Sequence, residues 1–184
     1  KETLENFKLI SDFFFQIAGL KNLPRAGWKV KLNMKDSESV AEHSYMMSVM
    51  AMVLSDTKDL NTEKILKMSI LHDWAESKIG DFMPDEITNE KKTELEEYAM
   101  TEILDDLPTK IKNDYYDIWN DYKDNLSSEA KFVHELDKLE MALQGKIYEK
   151  DNDPEKIKPF LTSAVEQIMD DDLKKILIEI LQKT

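Results

Sequence analysis

The chain is predicted to be all-α, a compact bundle of six to eight helices. Two observations carry that reading. Gly and Pro, the strongest breakers of regular structure, number only 4 and 5 in 184 residues. Apolar side chains also recur at helical spacing over long stretches. No internal repeat, low-complexity run or long linker interrupts the sequence, so residues 1–184 read as one domain.

The first helix is expected over about Thr3 to Leu20, ending near Gly19. A stretch holding Pro24, Arg25, Gly27 and Trp28, Lys21 to Ser39, is expected to be non-helical. Ser39 then caps a helix to about Leu54, with Glu42 three residues on as in a capping box. A third helix is expected from Thr62 to Ser77. It is apolar nearly all round (Ile65, Leu66, Met68, Ile70, Leu71, Trp74) and should therefore be central. Gly80, Asp81 and Pro84 mark a loop. Charged helices follow over about Asn89 to Asp105 and Pro108 to Tyr122. Ser127 or Ser128 starts a long helix to Glu149, with Phe132, Leu136, Leu139, Leu143 and Ile147 on one stripe. Pro154 to Lys183 reads as one or two more helices.

Composition excludes several functions. With no Cys there is no disulfide framework, thiolate metal site or Cys nucleophile. A net charge of −13 argues against a nucleic acid polymer or an anionic membrane as partner. No segment reaches the roughly 18 apolar residues of a membrane span. The first twenty residues lack the features of a signal peptide, which makes the cytoplasm the expected compartment. There are 3 His, and Arg25 is the one arginine among 25 basic residues.

The third helix ends in Leu71-His72-Asp73-Trp74-Ala75-Glu76. Histidine and aspartate are costly beside an apolar core unless paired or metal-bound. Glu76 returns to the same helix face, three residues after Asp73 and four after His72. A polar cluster at a helix end would read the same way. His43 sits close to the apolar face of Val40, Met47, Met50 and Leu54, where a satisfied core histidine is the simpler reading. Asp137 flanks the apolar stripe of the long late helix, where it could also pair with a lysine.

Taken together the order is His…His-Asp…Asp on three long helices. This resembles the HD-domain metal-dependent phosphohydrolase superfamily. Arg25-Ala26-Gly27-Trp28, Glu38-Ser39-Val40-Ala41-Glu42-His43-Ser44, His72-Asp73-Trp74-Ala75-Glu76, Gly80-Asp81 and Leu136-Asp137-Lys138-Leu139-Glu140-Met141 look like its 5′-deoxynucleotidase branch, over about Leu9 to Glu149. The resemblance implies that His43, His72, Asp73 and Asp137 converge on one divalent metal. It also implies a small nucleotide substrate and a homodimer. Two imidazoles and two carboxylates suit Mn, Co, Fe, Ni or Zn better than Ca or Mg. His134 is the only histidine left over, so a single metal is expected.

Charge suggests the remaining roles. Glu76 is a candidate acid/base or orienter of the attacking water. Asp81 is a candidate to hold that water or protonate the leaving 5′ oxygen; loop capping is its alternative. Arg25 offers phosphate a planar fork of donors that an ammonium cannot copy, and Lys78 is a second candidate cation. Trp28 either stacks on sugar or base or anchors its loop in the core. In the family a tryptophan near the phosphate-binding arginine helps exclude a ribose 2′-hydroxyl. Here Ala26 and Gly27 intervene between Arg25 and Trp28.

The expected reaction is hydrolysis of a deoxyribonucleoside 5′-monophosphate. The alternatives are an HD hydrolase of a triphosphate, cyclic nucleotide or alarmone, and a non-catalytic helical module that keeps a metal. The shortage of basic residues near Arg25 in sequence argues against a triphosphate. The added histidines and Gly-Tyr-Pro motif of cyclic dinucleotide hydrolases are absent.

Overall fold

Most of the long helices start where a side chain takes up a free backbone amide. The computed structural model describes residues 7–83 and 86–183. It contains α1 (Phe7–Ala18), α2 (Ala26–Lys31), α3 (Val40–Ser55), α4 (Thr62–Leu71), α5 (Glu76–Ile79), α6 (Asn89–Leu104), α7 (Thr109–Asp124), α8 (Ser128–Tyr148), α9 (Pro154–Gln167) and α10 (Asp171–Gln182). Eight of these are long and two, α2 and α5, are short. Apart from one antiparallel bridge between Pro24 and Ser39, no strand occurs among the described residues. The expected start of the first helix at Thr3, and Pro84 of the expected loop, lie outside the described residues.

The capping box of α3 is present. Ser39 Oγ accepts the Glu42 amide at 3.2 Å, and Glu42 Oε2 accepts the Ser39 amide at 2.7 Å. Ser127 Oγ caps α8 by accepting the Ala130 amide at 3.0 Å. Each such cap satisfies an amide that the helix itself leaves free.

The core is built around α8. Phe132, Val133, Leu136 and Leu139 pack against Met47 and Ala51 of α3, Ile65 and Met68 of α4, and Leu173 and Leu177 of α10. A fully buried Leu or Ile of this kind contributes about 1.5–3 kcal/mol. A second cluster joins Phe13, Leu71, Trp74, Met100, Leu104 and Trp119. The site lies where α3, the end of α4 and α8 meet between these two apolar masses.

Four expectations need correction. The stretch from Lys21 to Ser39 is not wholly irregular, because it contains α2. Its first amide, on Ala26, donates to Asp81 Oδ2 at 2.8 Å, so the cap comes from 55 residues away rather than from a local side chain. The third helix does not run unbroken to Ser77. After Leu71 the backbone tightens, with Trp74 N–H reaching Leu71 O and Glu76 N–H reaching Asp73 O, both at 3.1 Å. Nor are all its apolar residues central, since Ile70 is 48% exposed. On α8, Ile147 leaves the buried stripe and is 50% exposed.

The C-terminal helix is clasped to the end of α3. Asp170 Oδ1 caps α10 by accepting the amides of Asp172 and Leu173 at 3.0 and 3.1 Å. Lys58 Nζ approaches Asp170 Oδ2 at 2.8 Å. Burial opposes the Asp170 charge, but the Lys58 ammonium and these amides hold its carboxyl below the usual value. We expect Asp170→Ala to cost about 1–2 kcal/mol at neutral pH, measured by urea denaturation. Asp170 is depressed in the folded state, so its contribution is complete above about pH 4, the unfolded value. The difference between the two proteins should therefore shrink as the pH falls through the folded-state value.

Candidate metal centre and its cleft

The polar residues that the sequence places on three separate helices meet at one point. His43 Nε2 lies 3.3 Å from Asp137 Oδ1 and 3.9 Å from Asp73 Oδ2. His72 Nε2 lies 3.1 Å from Asp73 Oδ2. One donor atom each from His43, His72 and Asp73 can be chosen so that all lie within 4.8 Å of one another. His43 comes from α3, His72 and Asp73 from the tightened turn after α4, and Asp137 from the middle of α8.

Local bonding decides which imidazole atom faces inward. His43 Nδ1–H donates to Glu140 Oε2 at 2.5 Å, and His72 Nδ1–H donates to the Ser69 carbonyl at 2.8 Å. Both acceptors can only accept, so in each neutral ring Nε2 carries the lone pair. In a regular helix the Ser69 carbonyl would take the Asp73 amide. Giving it to His72 accompanies the tightening that brings His72 and Asp73 to one side.

His43 Nε2, His72 Nε2 and Asp73 Oδ2 are buried without hydrogen-bond partners. Such atoms are costly unless something completes them. Two imidazole lone pairs and two carboxylates satisfy the ligand chemistry of a divalent transition metal, and the donor set fits one. The electrostatics agree. Burial and Arg25 work against a charged His43, yet Asp137 and Glu140 push it up to about 9. Burial likewise disfavours charge on Asp73, but His72 and Arg25 hold it low; Lys138 and His43 do the same for Asp137. The centre draws positive charge.

A cleft of about 650 Å³ opens onto this centre. Arg25 projects into it from the start of α2, with Nη1 3.5 Å from Asp73 Oδ2 and Nη2 3.8 Å from Asp137 Oδ1. Its backbone is fixed by the Arg25 amide donating to Glu38 O at 2.9 Å. Glu76 also lines the cleft, with Oε2 buried and unpartnered. Burial, then Asp73 and Asp81, raise its carboxyl well above the ordinary value. Gly80 ends α5 at φ +85°, a backbone that L side chains rarely adopt, and turns the chain so that Asp81 reaches the same cleft. Asp81 Oδ2 is engaged there by the Ala26 amide.

Two expected site residues sit differently. Lys78 is not brought to the cleft. It is two residues past Glu76, about 200° around a helix, and its ammonium pairs with Glu102 over the ring of Tyr98. Trp28 reaches the cleft wall but is 2% exposed. Its Nε1–H donates to Glu38 Oε1 at 2.7 Å, and its ring packs on Phe160 at 4.1 Å. The anchoring reading of Trp28 is the one this packing favours.

Sequence reasoning missed Glu140, which is 1% exposed and holds His43. Its spacing, three residues after Asp137, was the available signal. It also missed Lys31, Lys92, Lys138 and Lys156, which line the cleft. The shortage of basic residues near Arg25 in sequence is not a shortage in space, so the objection to longer phosphate chains falls away. His134 lines the cleft too. It stacks on Tyr122 at 4.0 Å and donates through Nε2–H to the Tyr122 carbonyl at 2.8 Å.

Residues 17–179 match a family described as the HD domain. A Mus musculus protein named 5′-deoxynucleotidase HDDC2 is 38% identical over 170 residues, 91% of this chain and 84% of that protein. A Dictyostelium discoideum protein of the same name is 42% identical over 146 residues, 74% of this chain and 76% of that one. Among solved structures, a conserved hypothetical protein from Pyrococcus furiosus superposes with a TM-score of 0.77 at 26% identity, over 94% of this chain and 99% of that chain.

The Glu140 bond gives the first test of the centre. Glu140→Ala strips the buried His43 Nδ1–H of its acceptor. Divalent metal affinity, measured by competition with a chelator, should fall about 10–100-fold, while circular dichroism shows the helix content unchanged.

Proposed function

The chain belongs to the HD-domain family of metal-dependent phosphohydrolases, and on that premise we propose that it hydrolyses deoxyribonucleoside 5′-monophosphates to deoxynucleoside and phosphate. One observation carries the reading. Unpartnered imidazole and carboxylate atoms converge at the floor of a cleft, under the chain's one guanidinium. The similarity to proteins named 5′-deoxynucleotidase supports the substrate class.

In this reading His43, His72, Asp73 and Asp137 hold one divalent ion, of Mn, Co, Fe, Ni or Zn rather than Mg. Such an ion supplies an acidified water and offsets charge on the phosphoryl group. The chain's own residues do the rest. Arg25 binds phosphate oxygens through its fork; at 3.5 and 3.8 Å its contacts with Asp73 and Asp137 are long enough to yield to an anion. Glu76, its carboxyl raised by burial and its carboxylate neighbours, lines the cleft with Oε2 unpartnered, and in this role it orients the attacking water and takes its proton. As water adds to phosphorus the bond to the 5′ oxygen breaks, and Asp81, which lines the same cleft, is the residue assigned to deliver a proton to that oxygen. Glu140 keeps the His43 ring in the ligand tautomer.

A second reading, a nucleotide with more phosphates, is favoured by the four lysines along the cleft. The reading also includes a homodimer, supported by Phe14, Tyr45 and Ile70, which are exposed and line one apolar groove. No helix among the described residues is long and apolar enough to cross a membrane.

The test is phosphate release from deoxynucleoside and ribonucleoside mono- and triphosphates with Mn or Co. Turnover of the deoxynucleoside monophosphates is expected to dominate; equal or greater turnover of triphosphates would select the second reading. His72→Ala and Asp73→Ala should abolish metal retention and activity in a folded protein. Arg25→Lys should lower kcat/KM by about 100-fold, because the fork is lost while the charge stays.

A further inference from the structure

The segment most remote from the motifs supplies one side of the cleft. Lys156, Pro159, Phe160, Ser163 and Gln167 of α9 all line it. They fall at i, i+3, i+4, i+7 and i+11, a single helical face about 16 Å long at 1.5 Å per residue. The flank of α9 about a quarter turn from this stripe is committed to the core through Ile157 and Ala164, both 0% exposed. Of the stripe, Phe160 also packs against Trp28, so it is seated firmly while still lining the cleft.

The stripe is graded in chemistry. Lys156 gives a cation, Pro159 and Phe160 an apolar wall, and Ser163 with Gln167 a hydroxyl–amide pair joined by Gln167 Nε2–H donating to Ser163 Oγ at 2.6 Å. The wall sits beside the phosphate end. Gly27, two residues after Arg25, is so close to Phe160 that a Cβ on it would lie 3.3 Å from Phe160 Cε1. Only a glycine at that position lets the ring close over α2 without displacement. Behind Phe160 stands Trp28, whose one polar group is already spent on Glu38.

We propose that this face of α9 is the nucleoside-binding wall, with Phe160 the residue that packs on the sugar. The inference rests on the nucleotide reading given above. In a 5′-monophosphate the sugar is the group next to the phosphate, and here the surface next to the arginine is an aromatic ring backed by an indole. Phe160 offers a 2′-hydroxyl no hydrogen-bond partner, so a ribose pressed against it loses solvation without compensation, whereas deoxyribose does not. The hydroxyl–amide pair lies further along the stripe, where it meets the edge of a base.

Equilibrium binding of products separates this inference from the catalytic reading, because products are not turned over. Deoxyadenosine, adenosine and inorganic phosphate are titrated calorimetrically into the Mn-loaded protein, wild type and with Phe160→Ala and Phe160→Leu. Helix content and thermal melting confirm that each variant is folded, and the Leu variant keeps enough bulk to hold Trp28 if the Ala variant is not. We expect wild type to bind deoxyadenosine more tightly than adenosine. The variants should lose about 10-fold for deoxyadenosine and narrow the preference, with phosphate affinity unchanged. Unaltered nucleoside affinity in a folded variant overturns the proposal. So does an equal loss of phosphate affinity, which would mean that Phe160 acts only by supporting the arginine. Failure of wild type to turn over nucleotides in the preceding assay would sink the catalytic reading, while these titrations still decide whether Phe160 packs on a nucleoside.

Discussion

Everything around the centre follows from placing imidazole nitrogens and carboxylate oxygens inside an apolar bundle with their inward atoms unpaired. Fully buried polar atoms are tolerated when something completes them, and here the surrounding chain completes only the outward half of each ring. Glu140 and the Ser69 carbonyl each fix a tautomer, leaving a lone pair inward. The apolar masses on either side, around Leu136 and around Trp74, then serve as walls that keep water from settling the account instead. The centre is a deficit of positive charge held rigidly in place.

Local patterning made much of this legible. The long helices, the α3 capping box and the buried stripe of α8 follow from periodicity and cap chemistry. His43, His72, Asp73 and Asp137 were recognisable because their order and spacing resemble a known pattern, and the structure brings all four together. Arg25 stood out by composition alone. What could not be read depends on long-range geometry. Glu140 looks like an ordinary helix-surface charge until α3 is packed 97 residues away in sequence. Lys78 looked useful because it is near Glu76 along the chain, yet a step of two residues on a helix points the other way. The lysines of the cleft come from four different stretches, and no window of sequence contains them together.

Charge also acquires a structural meaning that the total did not have. A chain carrying −13 places Arg25 and four lysines around a single opening. The acidic excess lies elsewhere on the surface and at the floor of the cleft. An anion entering the cleft therefore finds cations gathered at the opening, although the molecule as a whole is acidic.

The contact between Asp81 and the Ala26 amide joins two rims of the cleft through one side chain. The loop leaving α5 and the helix carrying Arg25 are thereby a single mechanical unit. Loss of that carboxylate would not report on proton transfer alone, since it also frees the first amide of α2 and lets the guanidinium drift. Replacement by asparagine keeps an acceptor oxygen for Ala26 while removing the acid. The two effects that an alanine would merge are in that way distinguishable, and the rim of the cleft can be read as a hinge pin as well as a reagent.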